Sequence, residues 1–151
     1  MLKQVPMKAA LATVLLLLFC FAAPAFATDF EEGQVWSYQT RPGEEGSKLY
    51  IVRIDREIAK RPIFHIYLDG LKLKNPLMTG GVQDHLAHAP VSQESLEASV
   101  VKLLKSGGPM PNISEGYTAW LLAFSKRQAG VFTMPVKDIV QYIEDQFTKA
   151  K

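Results

Sequence analysis

Three histidines, a turn carrying one arginine and two glutamates, and a scatter of tyrosines and tryptophans are the groups in this sequence with chemistry to offer. His65 stands between Phe64 and Ile66, while His85 and His88 lie three apart just before Pro90. A catalytic zinc needs three well-placed ligands, and neither HEXXH nor a comparable spacing is present. His65 and His88, joined by Glu44 or Asp84, would serve a small hydrolase or metal-dependent enzyme if all of them reached one reacting centre. The competing reading is structural. On an alternating strand His88 shares a face with Leu86, which suits a hydrogen-bonded, partly buried side chain.

Arg41-Pro42-Gly43-Glu44-Glu45 offers either a charged-ligand site or an internal ion pair. Adjacent glutamates diverge on an extended backbone, which argues against a paired-carboxylate glycosidase. Trp36, Tyr38, Tyr67 and Trp120 would recognise sugars only if two of them stood coplanar and facing solvent; Tyr117, Trp120 and Phe124 fall at helical spacing and read as packing. No phosphate-binding loop follows Gly80-Gly81 or Gly107-Gly108, and no serine sits in a Gly-x-Ser-x-Gly elbow.

The elements that must position these groups fall into two blocks. Period-two alternation marks strands over residues 35–40, 48–55 and 62–68. Asp69-Gly70 then reads as a two-residue hairpin turn into a return strand through Leu71 and Leu73. Residues 82–89 form a further strand, with Val82, Leu86 and His88 on one face. The period then changes to 3.6. Ser92 caps a helix whose stripe is Leu96, Val100, Leu103 and Leu104, ended by Gly107. Ser114 opens a second helix carrying Tyr117, Trp120, Leu121 and Phe124. Pro135 opens a third, with Val136, Ile139, Val140, Ile143 and Phe147 recurring on one side. Strands followed by helices predict an α+β fold: an antiparallel meander of about four to six strands, with three amphipathic helices packed on one face.

The first 27 residues read as a secretory signal. Lys3 and Lys8 make the basic end, residues 9–23 are apolar apart from Thr13, and Ala25-Phe26-Ala27 places small residues for cleavage before Thr28. Met7 is an equally good start. Phe19 before Cys20 argues against lipid attachment. The 151 residues include 17 basic and 15 acidic side chains. Removing Lys3 and Lys8 with the leader makes those numbers equal, so a global electrostatic grip on nucleic acid is excluded. The leader also takes Cys20, the one cysteine of the chain. Residues 28–151 are thus expected to form one thiol-free domain, without disulfide, cysteine nucleophile or cysteine-held zinc, and without a membrane span.

Several short motifs run through that domain: Trp36-Ser37-Tyr38, Thr40-Arg41-Pro42 with Glu44 and Ser47, Phe64-His65-Ile66, His88-Ala89-Pro90, Gly116-Tyr117 with Trp120, and Ala129-Gly130-Val131-Phe132. In these the chain resembles a group of small uncharacterised bacterial exported proteins. The resemblance implies no activity, cofactor or catalytic residue. The expectation is therefore a periplasmic or secreted, non-enzymatic binding protein of the envelope, with the His65/His88 enzyme as the alternative. Neither metal nor cofactor is called for. Arg41, Glu44, His65, His88, Tyr117 and Trp120 are the candidate binding residues.

Overall fold

A computed structural model describes residues 28–149. The expected leader and its cleavage point after Ala27 lie outside them. Seven strands and three helices follow in order: β1 (Gln34–Tyr38), β2 (Leu49–Asp55), β3 (Ile63–Leu68), β4 (Leu73–Lys74), β5 (Val82–Gln83), β6 (Leu86–Val91), α1 (Gln93–Glu97), β7 (Val100–Ser106), α2 (Ser114–Ser125) and α3 (Val136–Lys149). The main sheet is antiparallel, in the order β6-β3-β2-β1-β7, and β4 and β5 form a separate ladder. The fold is mixed α+β. No helix among the described residues is long and apolar enough to cross a membrane.

One face of the sheet carries the core. Trp36, Tyr38, Leu49, Ile51, Ile54, Phe64, Ile66 and Leu68 pack there with Leu96 of α1 and Val136, Ile139 and Val140 of α3. Residues between these alternate to the opposite face. There α2 brings Tyr117 and Trp120 onto His65, with ring centroids 4.9 and 4.8 Å away. The helices therefore divide between the two faces, instead of forming the one-sided layer expected. Trp120 is the one buried side chain of α2, whereas α3 presents the predicted stripe.

The structure departs locally from the sequence reading in three places. The helix expected from Ser92 to Gly107 is a single turn: Ser92 does accept from the Ser95 N–H, but the chain leaves the helix at Ala98 and continues as β7. On β7 one extra residue intervenes between the partners of Ser37 and Tyr38, and another between those of Val35 and Trp36. Each is a β-bulge, and a bulge turns strand alternation into a spacing of three. Val100 and Leu103 thus both lie opposite core residues, Tyr38 and Trp36, while mimicking a helical stripe. The hairpin at Asp69-Gly70 is also not formed as expected. Gly70 adopts φ +62°, but β3 pairs with β6, and Leu73 pairs away from the main sheet with Gln83. The strand expected over 82–89 is split into β5 and β6.

Candidate functional site

Two further bulges build a polar cluster on the α2 face. Ile51 pairs with Ile66 and Arg53 with His65, so Val52 is an extra residue on β2. That insertion reverses the side to which the following residues point. Ile54 joins the core, and Arg53 and Asp55 turn to the face occupied by His65. Likewise Leu86 lies opposite Leu68 and Ala89 opposite Ile66, leaving one extra residue on β6. Leu86 and Ala89 both enter the core, and His88 is released to the other side. His88 and Leu86 therefore do not share a face, contrary to the alternation.

The cluster is a hydrogen-bonded chain. Arg53 Nε donates to Asp55 Oδ1 at 2.8 Å, and Tyr117 Oη donates to Asp55 Oδ2 at 2.8 Å. His65 Nε2 lies 3.1 Å from Asp55 Oδ2, and His65 Nδ1 lies 2.9 Å from His88 Nε2. The imidazoles are nearly parallel, at 12°. The Arg53 guanidinium sits 4.5 Å over the Tyr117 ring. Burial pushes the Asp55 carboxyl up, but the hydrogen bonds from Tyr117 and Arg53, with the arginine charge, hold it below the usual range. An ionised Asp55 accepts only, so His65 Nε2 carries a proton. Neutral His65 then accepts at Nδ1, and His88 must donate from Nε2, leaving His88 Nδ1 as the lone pair of the chain. Burial lowers the His65 pKa, partly offset by Asp55. Burial, with the repulsion that a protonated His65 would exert, lowers His88 from its ordinary 6.5 to about 4.

This arrangement joins sheet to helix. His65 is fully buried. Trp120 stacks against Phe124 at 4.7 Å and donates to the Gly130 carbonyl at 2.9 Å. Gly116 admits His88: a β-carbon there would lie 2.7 Å from the His88 β-carbon.

Arg41 and Glu44 form a second, separate cluster. Arg41 grips Glu44 with two bonds of 3.0 and 2.6 Å, and it also reaches Gln141 and Glu144 of α3 at 3.0 and 3.2 Å. Glu44 is buried and accepts the Lys72 N–H at 2.7 Å. Burial pushes its carboxyl up, but the bonds from Arg41 and Lys72 and the arginine charge outweigh it and leave the pKa lowered. These residues line a cavity of about 640 Å³ with Lys72, Lys74 and Lys137.

The six sequence candidates thus resolve into Arg41 with Glu44 against α3, and His65 and His88 with Tyr117 and Trp120 under α2. The carboxylate that meets the histidines is Asp55, not Glu44 or Asp84; Asp84 pairs with His85 at 2.7 Å. Glu45 Oε1 accepts the Gly43 N–H within its own turn. Trp36, Tyr38 and Trp120 are buried, so no coplanar aromatic platform faces solvent among them. Alternation alone does not single out Arg53 and Asp55, because it hides a bulge. The signal available was the Arg-x-Asp pair itself, closing an otherwise apolar strand.

No group of three or more histidine, cysteine, aspartate or glutamate side chains among the described residues could hold a metal ion. Comparison of the chain with family models, curated proteins and solved structures finds no match in any of the three.

Proposed function

We propose that the chain is an exported binding protein that engages another protein through β7. The observation that carries this reading is Val101, Leu103 and Leu104, which are 67%, 41% and 46% exposed on a strand at the sheet edge. Along its outer side β7 has no strand partner among the described residues. An edge strand offers unpaired backbone groups to an extended segment of a partner. Lys102 and Lys105 lie on the same strand and form no ion pair with a described carboxylate. Like charges would face each other in a dimer of two β7 strands, which favours a different protein with apolar and acidic side chains. Export rests on the leader pattern.

Enzymatic action at His65 and His88 is the weaker reading. The histidines do meet a carboxylate. Yet a base with a pKa of about 4 accepts protons poorly at neutral pH. Neither histidine lines the cavities beside Arg41, at the end of α2, around Arg56, beside Asn112 or beside Arg61. We read the chain from Arg53 to His88 as the fastening that holds α2.

The test is affinity capture from an envelope extract with protein purified from cells expressing the whole chain. The expected result is a discrete partner, lost when Lys102 and Lys105 are both changed to Glu and when Leu103 is changed to Ser. Capture that is indifferent to all three changes contradicts the reading, as does a protein whose N-terminus in the cell remains uncleaved in the cytosol.

A further inference from the structure

We propose a second binding site, for a small carboxylate with an apolar tail, in the groove at the C-terminal end of α2. The groove has a volume of about 540 Å³ and is lined by Ile58, Leu121, Phe124, Ser125, Arg127 and Ala129. That size suits a small organic ligand. Four of the six lining residues are apolar, and Arg127 is the one charge. No acidic side chain lines it, and Arg127 makes no ion pair with a described carboxylate.

Arg127 is also conformationally out of place. The Arg127 N–H bonds to the Phe124 carbonyl at 2.9 Å, and the Gln128 N–H bonds to that of Ala123 at 2.8 Å. This is the Schellman ending of a helix, whose left-handed residue is ordinarily glycine. Here Arg127 takes φ +59°, alone among the non-glycine residues described. Glycine would be cheaper in this position. Arg127 thus brings a guanidinium to an otherwise apolar groove.

The polar inventory selects the occupant. Ser125 already donates its hydroxyl to the Leu122 carbonyl at 2.8 Å, and the two N–H groups of the turn are spent on the helix. A peptide would bring amides that these lining side chains leave unpaired, at a cost in desolvation. An acyl chain brings none. Its carboxylate takes the two-pronged bond that a guanidinium offers, and its tail lies along Leu121, Phe124 and Ile58.

Trp120 reports on the site, because its ring stacks on Phe124 while Trp36 belongs to the core on the other face. Decanoate, titrated below its micellar range into protein purified from cells expressing the whole chain, is expected to change Trp120 emission saturably. Decanol should bind at least about tenfold more weakly, since the charge-assisted bond is absent. Arg127→Gly should weaken decanoate binding by a similar factor while raising the Tm by about 2–5 °C, because the turn is relieved. Absence of saturable binding overturns the proposal, as does equal affinity for decanol. So does an Arg127→Gly variant that binds undiminished or melts lower. A short apolar peptide acid that outcompetes decanoate would also overturn it, since the occupant would then be a chain terminus.

Discussion

At Gly116 the absent side chain matters more than helix propensity. Alanine inside a helix is ordinarily favoured over glycine by up to about 1 kcal/mol. Here its β-carbon would press on that of His88 at 2.7 Å, with β6 behind it. Gly116→Ala should therefore destabilise the fold by about 1–3 kcal/mol in chemical denaturation, reversing the usual sign. His88 itself sets a pH response. The unfolded chain takes up a proton near pH 6.5, but the folded site resists until about 4. Between these values the unfolded state holds more protons, so stability is full above the window and falls as the pH drops through it. Asp55, whose folded pKa is lowered, gives up its own contribution only at still lower pH. The expected loss across the histidine window is roughly 2 kcal/mol. His88→Gln should flatten it, and an unchanged slope in that variant would contradict the assignment. Glu44 offers a third check: with Arg41→Ala it is left buried without its cation, and a loss of about 3 kcal/mol is expected.

Among the elements, what the sequence made legible was periodicity that no bulge interrupts. The stripe of Val136, Ile139 and Val140 was plain, and all three are buried. β1 and β3 alternated as read, with Trp36 and Tyr38, and Phe64, Ile66 and Leu68, turned to the core. Reading failed wherever a strand held one residue too many. On β7 the extra residues made Val100 and Leu103 look helical; on β2 and β6 they hid that Asp55 and His88 face His65. A bulge has no local composition to announce it, since the partner strand defines it. Of the cluster, His65, His88, Tyr117 and Trp120 are legible as candidates from residue type and spacing, whereas Arg53 and Asp55 are not. The brevity of α1 has a measurable consequence: Leu96 is fully buried in the core from a single turn of helix. Leu96→Ala should cost about 2–4 kcal/mol, far more than propensity predicts for five residues.

Over the whole molecule, a sheet with helices on both faces leaves β7 as an edge strand on which Val101, Leu103 and Leu104 meet water, as Leu77, Val82 and Leu122 do elsewhere. Stability and function should therefore separate. Substitutions in the Asp55–His65–His88 chain should change melting, while those at Val101, Leu103 and Leu104 should leave it nearly unchanged, since exposed positions typically shift stability by under about 0.5 kcal/mol. The most direct test puts a photo-crosslinking side chain at Val101 in the living cell, with the same group at Leu122 on the exposed side of α2 as comparison. Binding along β7 predicts a single envelope adduct from position 101 that disappears with the Lys102→Glu, Lys105→Glu variant. No adduct at 101, or the same adducts from 101 and 122, would contradict it.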